Sequence, residues 1–329
     1  MREVLTELKE LDEETNVRPL EIMDFTGQSE TIENLSTFIR GAVRRQEPLD
    51  HILFYGPPGL GKTTLSRIIA RELGVGFKTI SAPAITKPGE LASILVSLSP
   101  LDVLFIDEIH RLPLPVEEIL YSAMEDNKIT ILIGSDNNVE PIEVNLNPFT
   151  LVAATTRKGM LSQPLSDRFG IQFRMDFYND IELAKIIKRA SRILKVNLSD
   201  ESIIELAKRS RGTPRISLRL LRRLRDFIED HSESEIFVSD LEFTSKILDK
   251  LGISSDGLDE LDQRYIECLS KTFKGGPVGI ETLSASLSES RDTLESSVEP
   301  YLIRKGYIIR TPRGRKMADE LNTDQLNLI

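Results

Sequence analysis

Apolar and polar positions follow different patterns in the two halves of the chain. In the first half, short apolar runs typical of buried strands occur at 52–55, 103–106 and 151–154, and a further strand is predicted near 77–80. Around them, the spacing of apolar residues predicts helices at 29–46, 64–70, 89–98 and 116–126. Strands that alternate with helices in this way favour an α/β domain with a parallel sheet.

The second half of the chain has a helical pattern. Helices are predicted at 180–194, 200–210, 214–230 and 238–250, and then at 259–273, 279–288 and 291–305. A short hairpin follows at 307–316. Short helices followed by a hairpin form the winged-helix arrangement. We therefore predict an α/β domain over residues 1–178, a helical domain over 179–252 and a winged-helix domain over 253–329.

The segment 128–148 interrupts the α/β pattern. Apolar residues alternate with polar ones on both sides of the turn-rich peptide 134–138, which predicts two strands joined as a hairpin. Such a hairpin could project as a contact arm for a partner, or it could form an edge of the main sheet.

Composition limits the classes of function. The chain has 329 residues and a formal net charge of −10, so contact with nucleic acid would need a local basic patch. Cys268 is the one cysteine, which rules out an internal disulfide and favours a reducing compartment. No apolar run approaches the roughly 20 residues that span a bilayer. Cytoplasmic localisation, with no membrane partner, is the simplest expectation.

Residues 56–63 fit the phosphate-binding pattern G-x-x-x-x-G-K-[ST] at every fixed position. A bare match can arise by chance, but this one lies between a predicted strand and a predicted helix. Backbone N–H groups of the glycine loop and the helix N-terminus favour bound phosphate. Lys62 can reach the β- and γ-phosphates of a nucleotide, and the Thr63 hydroxyl can bind Mg²⁺.

Two carboxylates, Asp107 and Glu108, end the apolar strand at 103–106. Ligands bind at the carboxyl ends of strands in open α/β sheets. Asp107 can hold the Mg²⁺ shell, and Glu108 can orient and activate a water for hydrolysis. The alternative is a strand that ends in a polar turn. His110, two residues further on, is interpreted as structural or surface-exposed.

The end of the strand at 151–157 and Arg168 are two further candidates for contact with the nucleotide. The strand at 151–157 ends in hydroxyls that could touch the γ-phosphate or the attacking water. Arg168 could neutralise charge on a nucleotide in the transition state, in its own subunit or a neighbour's. A surface salt bridge with Asp167 is the ordinary alternative.

The peptides 17–20 and 24–28 precede the phosphate-binding loop, and could wrap a base or serve as an entry loop. Arg215 follows Pro214 in the first turn of a predicted helix, where the helix dipole disfavours a cation. A bound triphosphate would compensate it. A solvated face explains most of the arginines that follow, which are Arg219, Arg222, Arg223 and Arg225.

The C-terminal hairpin is basic in an acidic chain. It carries Arg310, Arg313, Arg315 and Lys316, with Arg304 and Lys305 just before it. Clustered positive charge on a wing suits the phosphates of DNA. A solvated basic turn is the alternative.

A series of short motifs runs along the chain from about residue 17. They include Gly56–Thr64, Leu104–Arg111, Ala154–Arg157, Asp167–Gly170, Arg211–Arg215, Gly275–Gly279, Glu299–Ile303 and Arg310–Arg315. With this ordered set the chain resembles the RuvB family of bacterial Holliday-junction branch-migration motors, which are AAA+ ATPases. Ala82 and Ala153 stand where family members often have glycine, which puts local packing in question but not the chemistry.

The resemblance implies ATP and Mg²⁺ as cofactors and assigns roles to single residues. The phosphate-binding residues would be Gly56, Gly59, Leu60, Gly61, Lys62, Thr63 and Thr64, with Thr63 and Asp107 as metal ligands. Val17, Arg18, Tyr178 and Pro214 would form the adenine pocket between the large ATPase domain and the lid. Thr156 would be the sensor-1 residue, Arg168 the arginine finger acting on the adjacent subunit, and Arg215 the sensor-2 residue.

The resemblance also implies partners. The family forms hexameric rings on duplex DNA, docks RuvA through the hairpin at 128–148, and works with the resolvase RuvC. Two other functions share most of these motifs: another AAA+ DNA machine, such as a clamp or helicase loader, and an ATP-gated DNA-binding regulator.

Overall fold

The computed structural model describes residues 17–133, 140–231 and 237–318. Predictions for residues 1–16, for the hairpin turn at 134–138, for most of 231–238 and for the end of the third domain lie outside the described residues. Contacts divide the chain into two units. The first extends to Asp176 without Pro57–Gly59, and the second contains Pro57–Gly59 and the residues from Phe177 onwards.

The first unit alternates helices and strands as the sequence pattern predicts. Its elements in chain order are α1 (Ser29–Arg45), β1 (Ile52–Tyr55), α2 (Lys62–Leu73), β2 (Phe77–Ser81), α3 (Pro88–Val96), β3 (Val103–Asp107), α4 (Leu114–Asp126), β4 (Lys128–Ile133), β5 (Glu140–Asn145), β6 (Thr150–Thr155), α5 (Gln163–Asp167) and β7 (Ile171–Arg174). Most bounds differ from the predicted ones by a few residues.

The main sheet is parallel, with strand order β2-β3-β6-β1-β7. Strand β6 lies between β1 and β3, with Tyr55 opposite Thr155 and Ile106 opposite Ala153. The carboxyl ends of β1, β3 and β6 therefore lie side by side. This edge of the sheet holds the predicted nucleotide-binding groups.

One face of the sheet is covered by α3 and α4. Leu104, Ile106 and Leu151 pack there against Leu95 and Leu120, and all five side chains are buried. Ala82 and Ala153 belong to the same core and are fully buried. Their methyl groups therefore contribute to the core, and local packing accommodates them.

The segment after α4 forms its own two-stranded sheet. Strands β4 and β5 pair in antiparallel fashion, with Ile131 opposite Ile142. The interpretation of this segment as an edge of the main sheet is therefore wrong. Ile129 is buried in the core beside α4, whereas Ile142 is 44% exposed. The hairpin thus has one apolar position anchored in the domain and another open to solvent.

The second unit is helical and ends in a small hairpin. Its elements are α6 (Asp180–Ile193), α7 (Asp200–Lys208), α8 (Pro214–His231), α9 (Leu241–Lys250), α10 (Glu260–Glu267), α11 (Ile280–Leu287), α12 (Arg291–Thr293), α13 (Glu299–Arg304), β8 (Ile308–Thr311) and β9 (Gly314–Met317). Both α10 and α12 continue through π-helical turns, at Cys268–Thr272 and Leu294–Val298. The predicted winged helix is confirmed.

A buried cation joins the two helical parts of the second unit. Arg211 precedes α8, and its Nη1 lies 2.9 Å from Asp262 and 3.0 Å from Asp259. Its guanidinium also stacks over the ring of Tyr301, 4.7 Å from the ring centroid. Burial raises the pKa of Asp262 to about 7, and the nearby Arg211 opposes this rise. Removing one partner of such a pair would leave a buried charge uncompensated.

His51 ties three elements of the first unit together at the start of β1. Its Nδ1 accepts the backbone N–H of Leu151 at 2.9 Å, and its Nε2 lies 3.3 Å from the carbonyl oxygen of Met124. The neutral tautomer with the proton on Nε2 satisfies both contacts. Burial lowers the pKa of His51, against smaller opposing effects of the Met124 carbonyl and Asp50.

The first unit should therefore lose stability as the pH falls below the ordinary histidine pKa of about 6.5. Between pH 6.5 and the lowered pKa of His51 in the folded chain, this histidine binds a proton in the unfolded chain but stays neutral in the folded one. This difference favours the unfolded state as the pH falls. Urea unfolding at pH 8 and pH 5.5 measures the loss. His51→Asn retains an acceptor near the position of Nδ1 but does not titrate. The variant should therefore lose less unfolding free energy than the wild type between pH 8 and pH 5.5. Equal losses in the two proteins would contradict this role of His51.

Candidate functional site

The phosphate-binding loop has the backbone geometry that its glycines permit. Gly56 has a φ of +141°, and a Cβ at this position would collide with the carbonyl oxygen of Met175. Gly61 has a φ of +101° and precedes α2. Lys62 begins that helix with only 7% of its surface exposed, and its Nζ donates to the Gly56 carbonyl at 2.8 Å. The loop therefore holds a buried ammonium beside a helix N-terminus, which suits an anion.

The two predicted carboxylates lie at the same edge of the sheet. Asp107 is the last residue of β3, and its Oδ1 accepts the backbone N–H of Glu108 at 3.0 Å. Glu108 has a left-handed backbone, with a φ of 52°. Such a conformation costs a non-glycine residue about 1–3 kcal/mol and is concentrated at functional sites. The turn directs the chain away from the strand immediately after the acidic pair.

Strand β6 connects this acidic pair to the loop. The Gly56 N–H donates to the Thr155 carbonyl at 3.2 Å. The Thr156 hydroxyl donates to Glu108 Oε2 at 3.3 Å. The structure thus brings together the start of the loop, the predicted sensor residue and the predicted base.

The His110 side chain lies inside this group, which supports its structural interpretation over the surface-exposed one. Its side chain is 6% exposed. The Nδ1 atom lies 2.9 Å from Thr155 Oγ1 and 3.4 Å from Glu108 Oε2. Sequence pattern offered no indication of this contact with Thr155, because the two residues are far apart in the chain.

Arg168 follows α5 and is held by three groups. Its Nη1 donates to the Pro164 carbonyl at 2.7 Å, and its Nη2 lies 3.0 Å from Glu125. The guanidinium stacks over Tyr121, 4.6 Å from the ring centroid. The alternative of a salt bridge with Asp167 is wrong, because that carboxylate accepts from Gln163 instead. The role of arginine finger stays a prediction.

The predicted adenine-pocket residues lie in both units. Val17 is buried, and Arg18 lines a cleft of 470 Å³ that Thr64 also lines. Tyr178 is buried in the second unit, where its N–H donates to the Gly212 carbonyl at 2.9 Å. Pro214 and the exposed Arg215 begin α8. Their roles toward a nucleotide stay predictions.

The wing has a buried carboxylate that sequence analysis missed. Glu299 is 0% exposed and accepts from Arg310 Nε at 2.6 Å, from Arg315 Nε at 2.9 Å and from the Tyr265 hydroxyl at 3.1 Å. Glu295 accepts from Arg315 Nη2 at 2.8 Å. Two of the three predicted DNA-binding arginines are therefore fastened to acidic side chains beneath them.

The three arginines differ in exposure as a result. The Arg315 side chain is 13% exposed and that of Arg310 is 47% exposed. Arg313 lies at the turn between β8 and β9, is exposed, and forms no ion pair with the described residues. In the sequence, Glu299 in a helix is followed by the basic residues of the wing. This order alone did not predict that Glu299 contacts Arg310 and Arg315.

Three family models match consecutive parts of the chain. The Holliday junction DNA helicase RuvB P-loop domain matches residues 17–175, the RuvB AAA lid domain matches 178–254, and the RuvB C-terminal winged helix domain matches 255–321. The chain belongs to the RuvB family. It is 52% identical over 312 residues to the Holliday junction branch migration complex subunit RuvB of Flavobacterium psychrophilum, covering 95% of this chain and 91% of that one.

Other members of the family agree. The RuvB subunit of Staphylococcus haemolyticus is 50% identical over 303 residues, covering 92% of this chain and 91% of that one. The structure of the Thermotoga maritima RuvB Holliday junction branch migration motor superimposes with a TM-score of 0.83 at 44% identity, covering 92% of this chain and 96% of that one. This RuvB family member is thus a P-loop ATPase with a lid and a winged helix. None of its described helices is long and apolar enough to cross a membrane.

Proposed function

We propose that this RuvB family member is an ATP-driven DNA motor that moves Holliday junctions during recombination and repair. The observation that carries the proposal is the shared sheet edge, where the Lys62 loop, the Asp107–Glu108 pair and Thr156 meet. The relatives named as branch migration subunits match over nearly the whole chain, which supports the junction as the substrate.

ATP would bind with its phosphates on the loop. The Lys62 ammonium donates to the Gly56 carbonyl in this structure. With ATP bound, it would donate to the β- and γ-phosphates instead. The Thr63 hydroxyl and the Asp107 carboxylate fit Mg²⁺, which takes few protein ligands and completes its shell with phosphate oxygens and water. Mg²⁺ would neutralise charge on the phosphates.

Glu108 is the general base in this proposal. Its carboxylate lies at the carboxyl edge of the sheet and is held by the Thr156 hydroxyl. In this position it can orient and activate the water that attacks the γ-phosphate. Thr156 would sense the same phosphate, and Arg215 would reach it as the sensor-2 residue.

Arg168 would act on the ATP of the adjacent subunit in a hexameric ring. The Arg168 side chain is 20% exposed, and its guanidinium is kept in place by Glu125 and Tyr121. A carboxylate that binds a guanidinium can be replaced by a phosphate of similar geometry. The adenine would contact Val17, Arg18, Tyr178 and Pro214.

The winged helix would bind DNA and the hairpin β4–β5 would dock RuvA. Arg313 is free to contact phosphates, and Arg310 and Arg315 would present their remaining N–H groups from fixed positions. The exposed Ile142 gives the hairpin an apolar contact for a partner. The motor would work with RuvA and RuvC in the cytoplasm, with an ATPase domain at 1–178, a lid at 179–252 and a DNA-binding domain at 253–329.

Glu108→Gln should bind ATP with near wild-type affinity and lose hydrolysis by about a hundredfold or more, because the amide cannot accept the proton of water. Junction migration with RuvA should stop as well. Steady-state turnover and migration of a labelled four-way junction measure the two effects. Glu118→Gln, on an exposed position of α4, is the matched control. Normal turnover by Glu108→Gln would remove Glu108 from its role.

Arg313→Ala should weaken binding to duplex DNA and lower the slope of log K against log salt by roughly one, since one phosphate contact is lost. Its melting temperature should stay at the wild-type value. Arg315→Ala should instead lower the melting temperature, because it leaves Glu299 buried with fewer partners. An unchanged salt slope for Arg313→Ala would refute the wing assignment.

Rings mixed from Arg168→Ala and Lys62→Ala subunits should recover part of the ATPase activity that each variant lacks alone. In a mixed ring, a Lys62→Ala subunit can supply an intact Arg168 to the intact loop of its neighbour. ATPase assays across mixing ratios measure this recovery. Complete silence at every ratio would count against action in trans.

A further inference from the structure

The proposed base is in contact with a buried histidine to which no part of the mechanism so far gives a function. His110 approaches Glu108 Oε2 to 3.4 Å with the same Nδ1 atom that lies 2.9 Å from Thr155 Oγ1. Thr155 is fully buried, and the His110 side chain is 6% exposed. The imidazole therefore has a fixed place between the end of β6 and the catalytic carboxylate.

Thr155 also determines how the imidazole faces Glu108. The Thr155 hydroxyl oxygen accepts the backbone N–H of Arg157 at 3.0 Å. A hydroxyl oxygen has a second lone pair, so it can accept from His110 Nδ1–H as well. In that tautomer the Nδ1–H group faces both Thr155 Oγ1 and Glu108 Oε2 and attracts the carboxylate.

This contact restricts the Glu108 side chain. The Thr156 hydroxyl, which donates to the same carboxylate oxygen at 3.3 Å, restricts it further. The left-handed turn at Glu108 brings His110 back onto β6 and so sets up this arrangement. The carboxylate oxygen is thereby held by two groups, the His110 imidazole and the Thr156 hydroxyl.

We propose that His110, held by the Thr155 hydroxyl, is a positioning residue that fixes the Glu108 carboxylate where it can take a proton from the attacking water. The proposal rests on the proposed role of Glu108 as the base. His110 acts through Glu108 and makes no contact with nucleotide in this scheme. Its loss should therefore affect the chemical step more than the binding of ATP.

Two substitutions of His110 by amide residues test whether the polar atom must lie at the position of Nδ1. His110→Asn keeps a polar atom near the place of Nδ1, whereas His110→Gln places it near Nε2. In the full-length protein, His110→Gln should lower kcat for ATP about tenfold to a hundredfold, as expected for a misplaced catalytic group. KM for ATP and the Kd of a fluorescent ATP analogue should stay within about twofold of wild type, and His110→Asn should recover most of the kcat. His231→Gln, at the exposed end of α8, is the control and should match wild type.

Three results would overturn the inference. The first is a wild-type kcat in His110→Gln. The second is an equal loss in the Asn and Gln variants, which would make the Nδ1 position irrelevant. The third is a parallel loss of nucleotide affinity, which would show a structural role instead. These failures are distinct from failure of the proposed function, which is tested by Glu108→Gln: a dead Glu108→Gln with a normal His110→Gln would refute only the positioning role.

Discussion

The parallel pairing of β6 between β1 and β3 is the constraint on which the ATPase site depends. It brings three strand ends to one edge, and each end contributes a different group: a phosphate loop, a hydroxyl pair and an acidic pair. The hydrogen bond from Gly56 to the Thr155 carbonyl fixes the loop to the central strand. A slip of one residue in β6 would exchange the directions of Thr155 and Thr156. The Thr155 hydroxyl would then face the site and the Thr156 hydroxyl the core.

Charge is arranged differently in the winged helix. There Arg310 and Arg315 of the hairpin are held by hydrogen bonds to the buried Glu299, whereas Arg313 is exposed to solvent. Salt screens exposed charges strongly and buried pairs much less. A rise in ionic strength would therefore weaken contact with a polyanion before it loosened the wing itself.

Local sequence pattern predicted the elements that carry most of the site. The strand, loop and helix around Gly56–Thr63 and the acidic end of β3 follow from apolar runs and from the fixed spacing of the loop, which are local properties. The fold class and the winged helix followed from the order of the elements. The resemblance to a family then supplied roles for single residues that spacing alone left open.

What sequence could not supply were contacts between distant residues. His110 meets Thr155 and Glu299 meets Arg310 and Arg315 only because the tertiary fold brings them together. Similarly, the hairpin β4–β5 has the alternation of any edge strand, and its separation from the main sheet is decided by packing on α4. The contacts of His110 and Glu299 each join polar groups that lie in different elements.

The joint around Arg211 has a mechanical consequence. Apolar surfaces can slide over one another at little cost, whereas a guanidinium that moves away from the fully buried Asp262 leaves that carboxylate without its partner. The joint is therefore stiff against shear. A force on the winged helix would therefore be passed to α8 through the Arg211 contacts rather than absorbed between the two helical parts.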